Sequence, residues 1–130
     1  MKRLRIVVAD DNTAFLQRVV SLLAADFDIV ATASDGKSAL ELIRLHKPDI
    51  AVIDLHMPVL NGIEIVKHLA KQPSSPPVVI CSVETDPEIV DAARQAGALA
   101  YVFKSRLERD LVLALQSAVR RKPFASTGPR

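Results

Sequence analysis

The chain has 130 residues, of which 49% are hydrophobic and 25% are charged, and its formal net charge is +2. This is enough apolar material for one globular domain and too little chain for two, and the small charge does not by itself indicate nucleic-acid binding. The single cysteine, Cys81, excludes an internal disulfide, and no apolar run is long enough to cross a bilayer. We therefore expect a soluble, cytoplasmic protein.

Five short apolar runs alternate with five helical patterns along the chain. The predicted strands are residues 4–9, 29–33, 50–53, 78–81 and 99–103. Three of these runs are almost continuously apolar and rich in Val and Ile, which is typical of strands covered on both faces in a parallel sheet. The run at 29–33 alternates more, and we expect that strand to lie nearer an edge.

Local signals mark where the predicted helices begin and end. Asn12 or Thr13 is a candidate N-cap of the first helix, Asp86 followed by Pro87 predicts the start of the fourth, and Gly97 predicts its end. The first, second, third and fifth helices carry apolar stripes (Phe15, Val19, Leu22, Leu23; Ala39, Leu42, Ile43; Gly62, Ile65, Val66, Leu69; Leu111, Ala114, Leu115, Ala118), and the fourth carries a stripe of mostly small residues (Ile89, Ala92, Ala93, Ala96). Residues 1–120 form the predicted domain, and residues 121–130 are predicted to be a frayed tail or the start of a linker.

Strict alternation of strands and helices over one domain length favours an open, doubly wound α/β sandwich. Ligands of such sheets bind at the carboxyl ends of the strands, near the switch point in strand order. Strand one is followed by Asp10 and Asp11, strand three by Asp54 and strand five by Lys104, while strand four is followed by Ser82. The sequence therefore predicts that three carboxylates, one hydroxyl and one ammonium converge at one edge.

Three neighbouring carboxylates repel each other, and one lysine cannot offset several such pairs. A divalent cation can, and oxygen-only ligands suit Mg²⁺ or Mn²⁺. A carboxylate is also a nucleophile for phosphoryl groups, and Asp54 is the natural candidate because it stands alone at the end of a central strand. Each of these residues taken singly is more simply a cap or a solvated loop residue, and the prediction depends on the whole set.

The pattern resembles the receiver domain of two-component response regulators, over residues 5 to about 119. The matching pieces are VVADDN (7–12), DLHMPVLNG (54–62), CS (81–82), AGA (96–98) and AYVFK (100–104). This resemblance implies a flavodoxin-like, five-stranded parallel sheet of order 2-1-3-4-5 with five helices in three layers. It also implies a signalling domain that catalyses only its own phosphorylation and dephosphorylation.

The resemblance assigns roles to the acidic residues. Asp54 is implied as the phospho-acceptor, and Mg²⁺ is implied as the cofactor, with Mn²⁺ as a substitute. Asp11 is implied as a direct metal ligand, with Asp10 contributing to the acidic pocket. Asp54 and the backbone carbonyl of His56 complete the implied ligand set.

The resemblance also implies a switch and its partners. Lys104 is implied to pair with Asp54 before phosphorylation and with the phosphoryl oxygens afterwards, while Ser82 moves toward the phosphoryl group and Tyr101 swings inward. The implied phosphoryl donor is a sensor histidine kinase or a histidine phosphotransfer protein. A homodimer through the face of helix four, strand five and helix five is implied, as is a DNA-binding output domain if the chain is a fragment; no membrane partner is expected.

Some residues differ from the usual pattern and leave two alternatives open. Ser105 stands where many receivers have proline, and Val83 is bulkier than the residue usual there. Val83 is the sequence feature that favours a degenerate receiver, a protein-interaction module that works without phosphorylation. A phosphohydrolase with an aspartyl nucleophile is the other alternative, although His56 occupies the position of its usual second acid and no segment is long enough for a substrate cap. His56 and Glu84 are expected to tune the lifetime of the phosphorylated state.

Overall fold

Parallel strands form the centre of this structure, a computed structural model that describes residues 3–127. The strands are β1 (Arg5–Ala9), β2 (Asp28–Ala33), β3 (Ile50–Ile53), β4 (Val78–Ser82), β5 (Ala100–Phe103) and β6 (Phe124–Ala125). The helices are α1 (Thr13–Leu23), α2 (Gly36–His46), α3 (Gly62–Ala70), α4 (Pro87–Ala96) and α5 (Leu107–Val119), and a 3₁₀ turn (Lys104–Arg106) joins β5 to α5. Among these helices none has the length and apolar character needed to cross a membrane.

The strand order is β2-β1-β3-β4-β5-β6, and all pairs are parallel. The flavodoxin-like order 2-1-3-4-5 that the resemblance implies is confirmed, with a short sixth strand beside β5 and with β2 at one edge as expected. The order reverses at β1, which pairs with β2 on one side and β3 on the other. The carboxyl ends of β1 and β3 therefore lie side by side at the switch point, where such sheets bind ligands.

Two apolar layers cover the sheet, which explains why the central strands are almost continuously apolar. The layer between the sheet and α2, α3 and α4 and the layer between the sheet and α1 and α5 each draw on alternate residues of the same strands. In β1, for example, Val7 and Ala9 face the first layer while Ile6 and Val8 face the second. Each Val, Ile or Leu side chain buried in this way contributes about 1.5–3 kcal/mol.

The predicted helix boundaries follow local hydrogen bonds. Asn12 caps α1 through its side chain, and Asp86 caps α4 ahead of Pro87. Gly97 ends α4 with φ of 124°, a backbone conformation that residues with a Cβ atom rarely adopt. Asn61 begins α3 with a reciprocal pair of side-chain and backbone hydrogen bonds to the residue three positions on. The caps predicted at Asn12, Asp86 and Gly97 are confirmed because each depends on residues only a few positions apart, whereas the cap at Asn61 was not predicted.

The C-terminal segment differs from the sequence prediction. Residues 121–130 were expected to be a frayed tail or the start of a linker, but Phe124 and Ala125 pair in parallel with Ala100 and Tyr101 of β5. The open edge of β5 offers unpaired backbone groups, and the tail satisfies some of them. A two-residue strand carries no periodicity that a sequence pattern could detect. Residues 128–130 lie outside the described part of the chain.

Val59, in the loop between β3 and α3, has a left-handed backbone with φ of 74°. A β-branched side chain is strained in this conformation, and Val59 gains little packing in return because it is 72% exposed. We expect Val59→Gly to raise the free energy of unfolding by about 0.5–1 kcal/mol, since relief of strain exceeds the entropic cost of glycine.

Urea denaturation with and without the substitution measures this effect. Val83 provides a matched control because it is 71% exposed and does not have a positive φ. Val83→Gly should leave stability unchanged or lower it, and a loss of stability in Val59→Gly would contradict the prediction.

Candidate functional site

Acidic side chains from two strands meet at the switch point. Asp10 and Asp11 follow β1 and Asp54 follows β3, and one carboxylate oxygen from each lies within 4.8 Å of the others. Asp10 is 3% exposed and Asp54 is 6% exposed, whereas Asp11 faces solvent. The convergence of these three carboxylates, predicted from their positions after the strands, is present in the structure.

The backbone around Asp54 is held on both sides. Its N–H donates to the carbonyl of Ala9 at 2.9 Å, and the N–H of Gly62 donates to the carbonyl of Leu55 at 2.8 Å. A Cβ on Gly62 would lie 2.7 Å from the backbone oxygen of Asp54, so α3 can approach the strand this closely only with glycine at its start. The Asp54 carboxylate is therefore held at a fixed place on the rim of the sheet.

Lys104 points into the acidic cluster from the end of β5. Its Nζ lies 2.8 Å from Oδ2 of Asp10 and 3.5 Å from Oδ2 of Asp54. The resemblance implied a pair with Asp54, and the structure contains that contact, but the shorter ion pair is with Asp10. Both aspartates compete for one partly buried ammonium, which contacts each of them.

The charges in the cluster do not balance. Burial raises the pKa of Asp54, the charge of Asp10 raises it further, and Lys104 only partly opposes these effects. Burial lowers the pKa of Lys104, but the hydrogen bond to Asp10 and the charges of both aspartates outweigh burial and raise it overall. Three carboxylates against one ammonium leave excess negative charge beside a buried acid.

This donor set fits a hard divalent cation. Its protein atoms are carboxylate oxygens, which Mg²⁺ and Mn²⁺ prefer, and the exposed position of Asp11 leaves room for waters and further oxygen ligands. A bound cation would also remove the repulsion that raises the pKa of Asp54. The arrangement can therefore hold a metal ion and present one carboxylate oxygen beside it.

Ser82 and Tyr101 are linked through the backbone of Glu84. The hydroxyl of Ser82, which is fully buried, accepts a hydrogen bond from the Glu84 N–H at 3.1 Å. The Tyr101 hydroxyl donates to the Glu84 carbonyl at 2.8 Å, and burial raises its pKa to about 12. The aromatic ring lies inside the domain, with Tyr101 3% exposed, and the inward movement that the resemblance implies for it stays a prediction.

The side chains of His56 and Glu84 face each other between the loop after β3 and the loop after β4. Nε2 of His56 lies 4.0 Å from a carboxylate oxygen of Glu84, and both side chains are solvent-accessible. His56 lies two residues after Asp54, and Glu84 lies two residues after Ser82. Both side chains therefore lie in the loops that follow the two central strands of the site.

Phe15 is a member of the site that the sequence did not identify. Its ring centroid lies 4.2 Å from Nζ of Lys104, a distance at which the ring attracts the cation. The sequence pattern placed Phe15 only on the apolar stripe of α1. Its role depends on a contact between the start of α1 and the residue that follows β5, and no motif in the chain signals that contact.

Comparison with known proteins gives one consistent family. The sequence model of the response regulator receiver domain matches residues 6–116. The chain is 34% identical over 118 residues to the transcriptional regulatory protein PdtaR of Mycobacterium tuberculosis, covering 90% of this chain and 57% of that protein. It is 33% identical over 116 residues to the probable transcriptional regulatory protein NarL of the same species, covering 88% of this chain and 54% of that protein.

Solved structures agree with the sequence comparison. The signal receiver domain of the putative response regulator NarL from M. tuberculosis superposes with a TM-score of 0.88 at 31% identity, covering 92% of this chain and 98% of that one. The response regulator domain of Thermotoga maritima CheB gives a TM-score of 0.81 at 27% identity, covering 94% of this chain and 100% of that one. The chain spans about half the length of the PdtaR and NarL proteins that it matches.

Proposed function

Because the chain belongs to the response regulator receiver domain family, a signalling family of two-component systems, we propose that it accepts a phosphoryl group on Asp54 and changes conformation in response. The donor is a sensor histidine kinase or a histidine phosphotransfer protein. The observation that carries this proposal is the convergence of the Asp10, Asp11 and Asp54 carboxylates, two of which, Asp10 and Asp54, also contact the ammonium of Lys104.

Receiver domains bind Mg²⁺ at an acidic pocket, and the carboxylates of this chain fit that ion. Asp10, Asp11 and Asp54, with the backbone carbonyl of His56, would hold it. When bound, the ion neutralises charge on the carboxylates and on the oxygens of the incoming phosphoryl group. Asp11, which is exposed, is the carboxylate most open to an ion arriving from solvent.

In the transfer step, an oxygen of the Asp54 carboxylate forms a bond to phosphorus while the bond from phosphorus to the donor's imidazole nitrogen breaks. The leaving imidazole keeps that electron pair and takes a proton. Lys104 supports the step because Nζ, 3.5 Å from Oδ2 of Asp54, can pair with a phosphoryl oxygen. The backbone contacts of Asp54 keep the attacking oxygen in place.

Ser82 and Tyr101 provide the conformational response. The Ser82 hydroxyl accepts from Glu84, so its own proton is available to a phosphoryl oxygen. Movement of Ser82 toward that oxygen shifts Glu84, whose carbonyl holds the Tyr101 hydroxyl. The new charge at Asp54 thereby biases the loop before α4 between two arrangements. His56 and Glu84 border the approach of water and set how long the phosphorylated state lasts.

Incubation with a small-molecule phosphodonor and Mg²⁺, followed by intact-protein mass spectrometry, tests the proposal. We expect a single phosphoryl adduct on the wild-type chain, none on Asp54→Asn, and none on either protein in excess EDTA. Asp26→Asn is the matched control, because it removes an exposed carboxylate far from the site in sequence, and it should be labelled like the wild type. Equal labelling of the wild type and Asp54→Asn would show that Asp54 is not the acceptor.

Beryllofluoride, which imitates an acyl phosphate, separates this proposal from the interaction-module alternative. A Mg²⁺-dependent change in the spectra of residues near Asp54 supports phosphorylation control. The complete lack of response would favour a module that works without phosphorylation. Turnover of an external phosphate ester would instead favour the phosphohydrolase.

A further inference from the structure

The C-terminal segment Phe124–Thr127, here named the latch, occupies the open edge of β5. The N–H of Phe124 donates to the carbonyl of Leu99 at 3.2 Å, and the N–H of Ser126 donates to the carbonyl of Tyr101 at 2.8 Å. The latch therefore adds a strand to the sheet by the same backbone bonds that a bound peptide would use.

Ser126 makes the docking specific. Its hydroxyl donates to Oδ2 of Asp110 at 2.6 Å and accepts from the N–H of Phe103 at 3.1 Å, and both Ser126 and Asp110 are buried. Arg109 fixes the Asp110 carboxylate through two hydrogen bonds of 2.8 and 3.1 Å and also donates to the carbonyl of Thr127 at 3.3 Å. The edge of β5 thus selects a hydroxyl side chain at this position.

The latch is bonded to a residue that directly precedes Lys104 of the acidic site. Phe103, whose N–H donates to Ser126, immediately precedes Lys104 and pairs with Ser82 across the sheet. Tyr101, whose carbonyl accepts from the latch, places its side chain on Glu84. The segment 101–104 therefore contacts the latch through Tyr101 and Phe103 and the acidic site through Lys104.

We propose that docking of the latch and occupation of the acidic site stabilise each other, with Ser126 as the residue that couples them. This inference rests on the proposed function. With the latch docked, Nζ of Lys104 already lies 3.5 Å from Asp54, within reach of a phosphoryl oxygen without movement of β5. Docking thus fixes the strand end that carries Lys104, and a bound phosphoryl group holds that end against release of the latch.

The latch also occupies the β5 edge within the face formed by α4, β5 and α5. A homodimer through this face was predicted from the resemblance, but the backbone of Ala100 and Tyr101 is already paired with the latch. A partner that requires the β5 edge must displace the latch first. Phosphorylation should therefore lower, rather than raise, the availability of this edge for strand pairing.

Hydrogen exchange and ligand binding on the full chain test the coupling from both sides. In the wild type, Mg²⁺ with beryllofluoride should increase protection of the Ser126 amide at least fivefold. Ser126→Ala should weaken beryllofluoride binding by the same factor, because coupling between two sites is reciprocal. Thr127→Ala is the matched control, since it removes an exposed side chain from the same segment and should bind like the wild type.

The outcomes separate the two proposals. If the wild type binds beryllofluoride and Ser126→Ala binds it within twofold as well, the coupling is wrong and the proposed function stands. If the wild type does not bind beryllofluoride, the proposed function fails. The coupling is then tested by comparing hydrogen exchange in the wild type and in Lys104→Met without any ligand. Protection of the Ser126 amide should fall at least fivefold in Lys104→Met relative to the amides of β2, and unchanged protection would overturn the inference.

Discussion

A Gly36→Ala substitution is expected to lower the free energy of unfolding by about 3 kcal/mol or more. The added Cβ would lie 1.9 Å from the backbone oxygen of Leu60 and 2.6 Å from the carbonyl carbon of the same residue. The N–H of Gly36 also donates to the carbonyl of Pro58 at 3.0 Å, so the start of α2 is bonded directly to the loop after β3. The clash is with backbone, and no side-chain rotation can relieve it.

Urea denaturation measures the loss, and Lys37→Ala serves as its control. Lys37 is the next residue on α2 and is exposed, so its truncation should change stability by less than about 0.5 kcal/mol. Because the displaced loop begins beside Asp54, Gly36→Ala should also weaken beryllofluoride binding. A Gly36→Ala protein as stable as the wild type would mean that α2 and this loop are not packed as described.

An Asp54→Asn substitution is expected to raise the stability of the metal-free protein, by about 1 kcal/mol at neutral pH. Like charges about 4 Å apart repel by roughly 4 kcal/mol at an effective dielectric of 20, and Lys104 offsets much of that repulsion from Asp10 without removing the cost of burial. Asparagine has nearly the same shape as aspartate but carries no charge. The substitution therefore removes a destabilising interaction while keeping the packing.

The sign of the pH dependence follows from the raised pKa of Asp54. The folded state holds a proton on this carboxyl at pH values where the unfolded chain, with a pKa near 3.8, has already lost it. The contribution of Asp54 to stability thus falls as pH rises from about 3.8 through the folded pKa, and the full penalty applies above that. The advantage of Asp54→Asn should grow over the same range and vanish in acid.

Thermal or urea unfolding in EDTA, followed across this pH range, checks the prediction. Saturating Mg²⁺ should reverse the order of stability, because the wild type gains about 2.7 kcal/mol at one hundred times its dissociation constant and the asparagine variant binds the ion less tightly. If Asp54→Asn lowers stability in EDTA, the carboxylates do not repel each other as their separation implies.

Much of the fold could be predicted from the sequence because its signals are local. The continuous apolar runs of β1, β3 and β4 reflect burial on both faces, and the caps at Asn12, Asp86 and Gly97 depend on neighbouring residues. The carboxylates of Asp10 and Asp54 could also be located from the sequence. A parallel sheet brings the C-terminal ends of its strands to one edge, and this depends on chain topology alone.

Contacts between segments distant in sequence were decided only by the tertiary structure. That Lys104 lies closer to Asp10 than to Asp54, and over the face of the Phe15 ring, depends on ångström-scale placement of side chains from three distant segments of the chain. That Ser126 docks beside Asp110 depends on β5 having an unpaired edge. Sequence alone determined the five main strands, the five helices and the charged side chains at the rim, because these follow from periodicity and chain topology. Which groups Lys104 pairs with, and where the C-terminal segment docks, could be seen only in the folded chain. Both depend on competition among groups that are distant in sequence and meet only after folding.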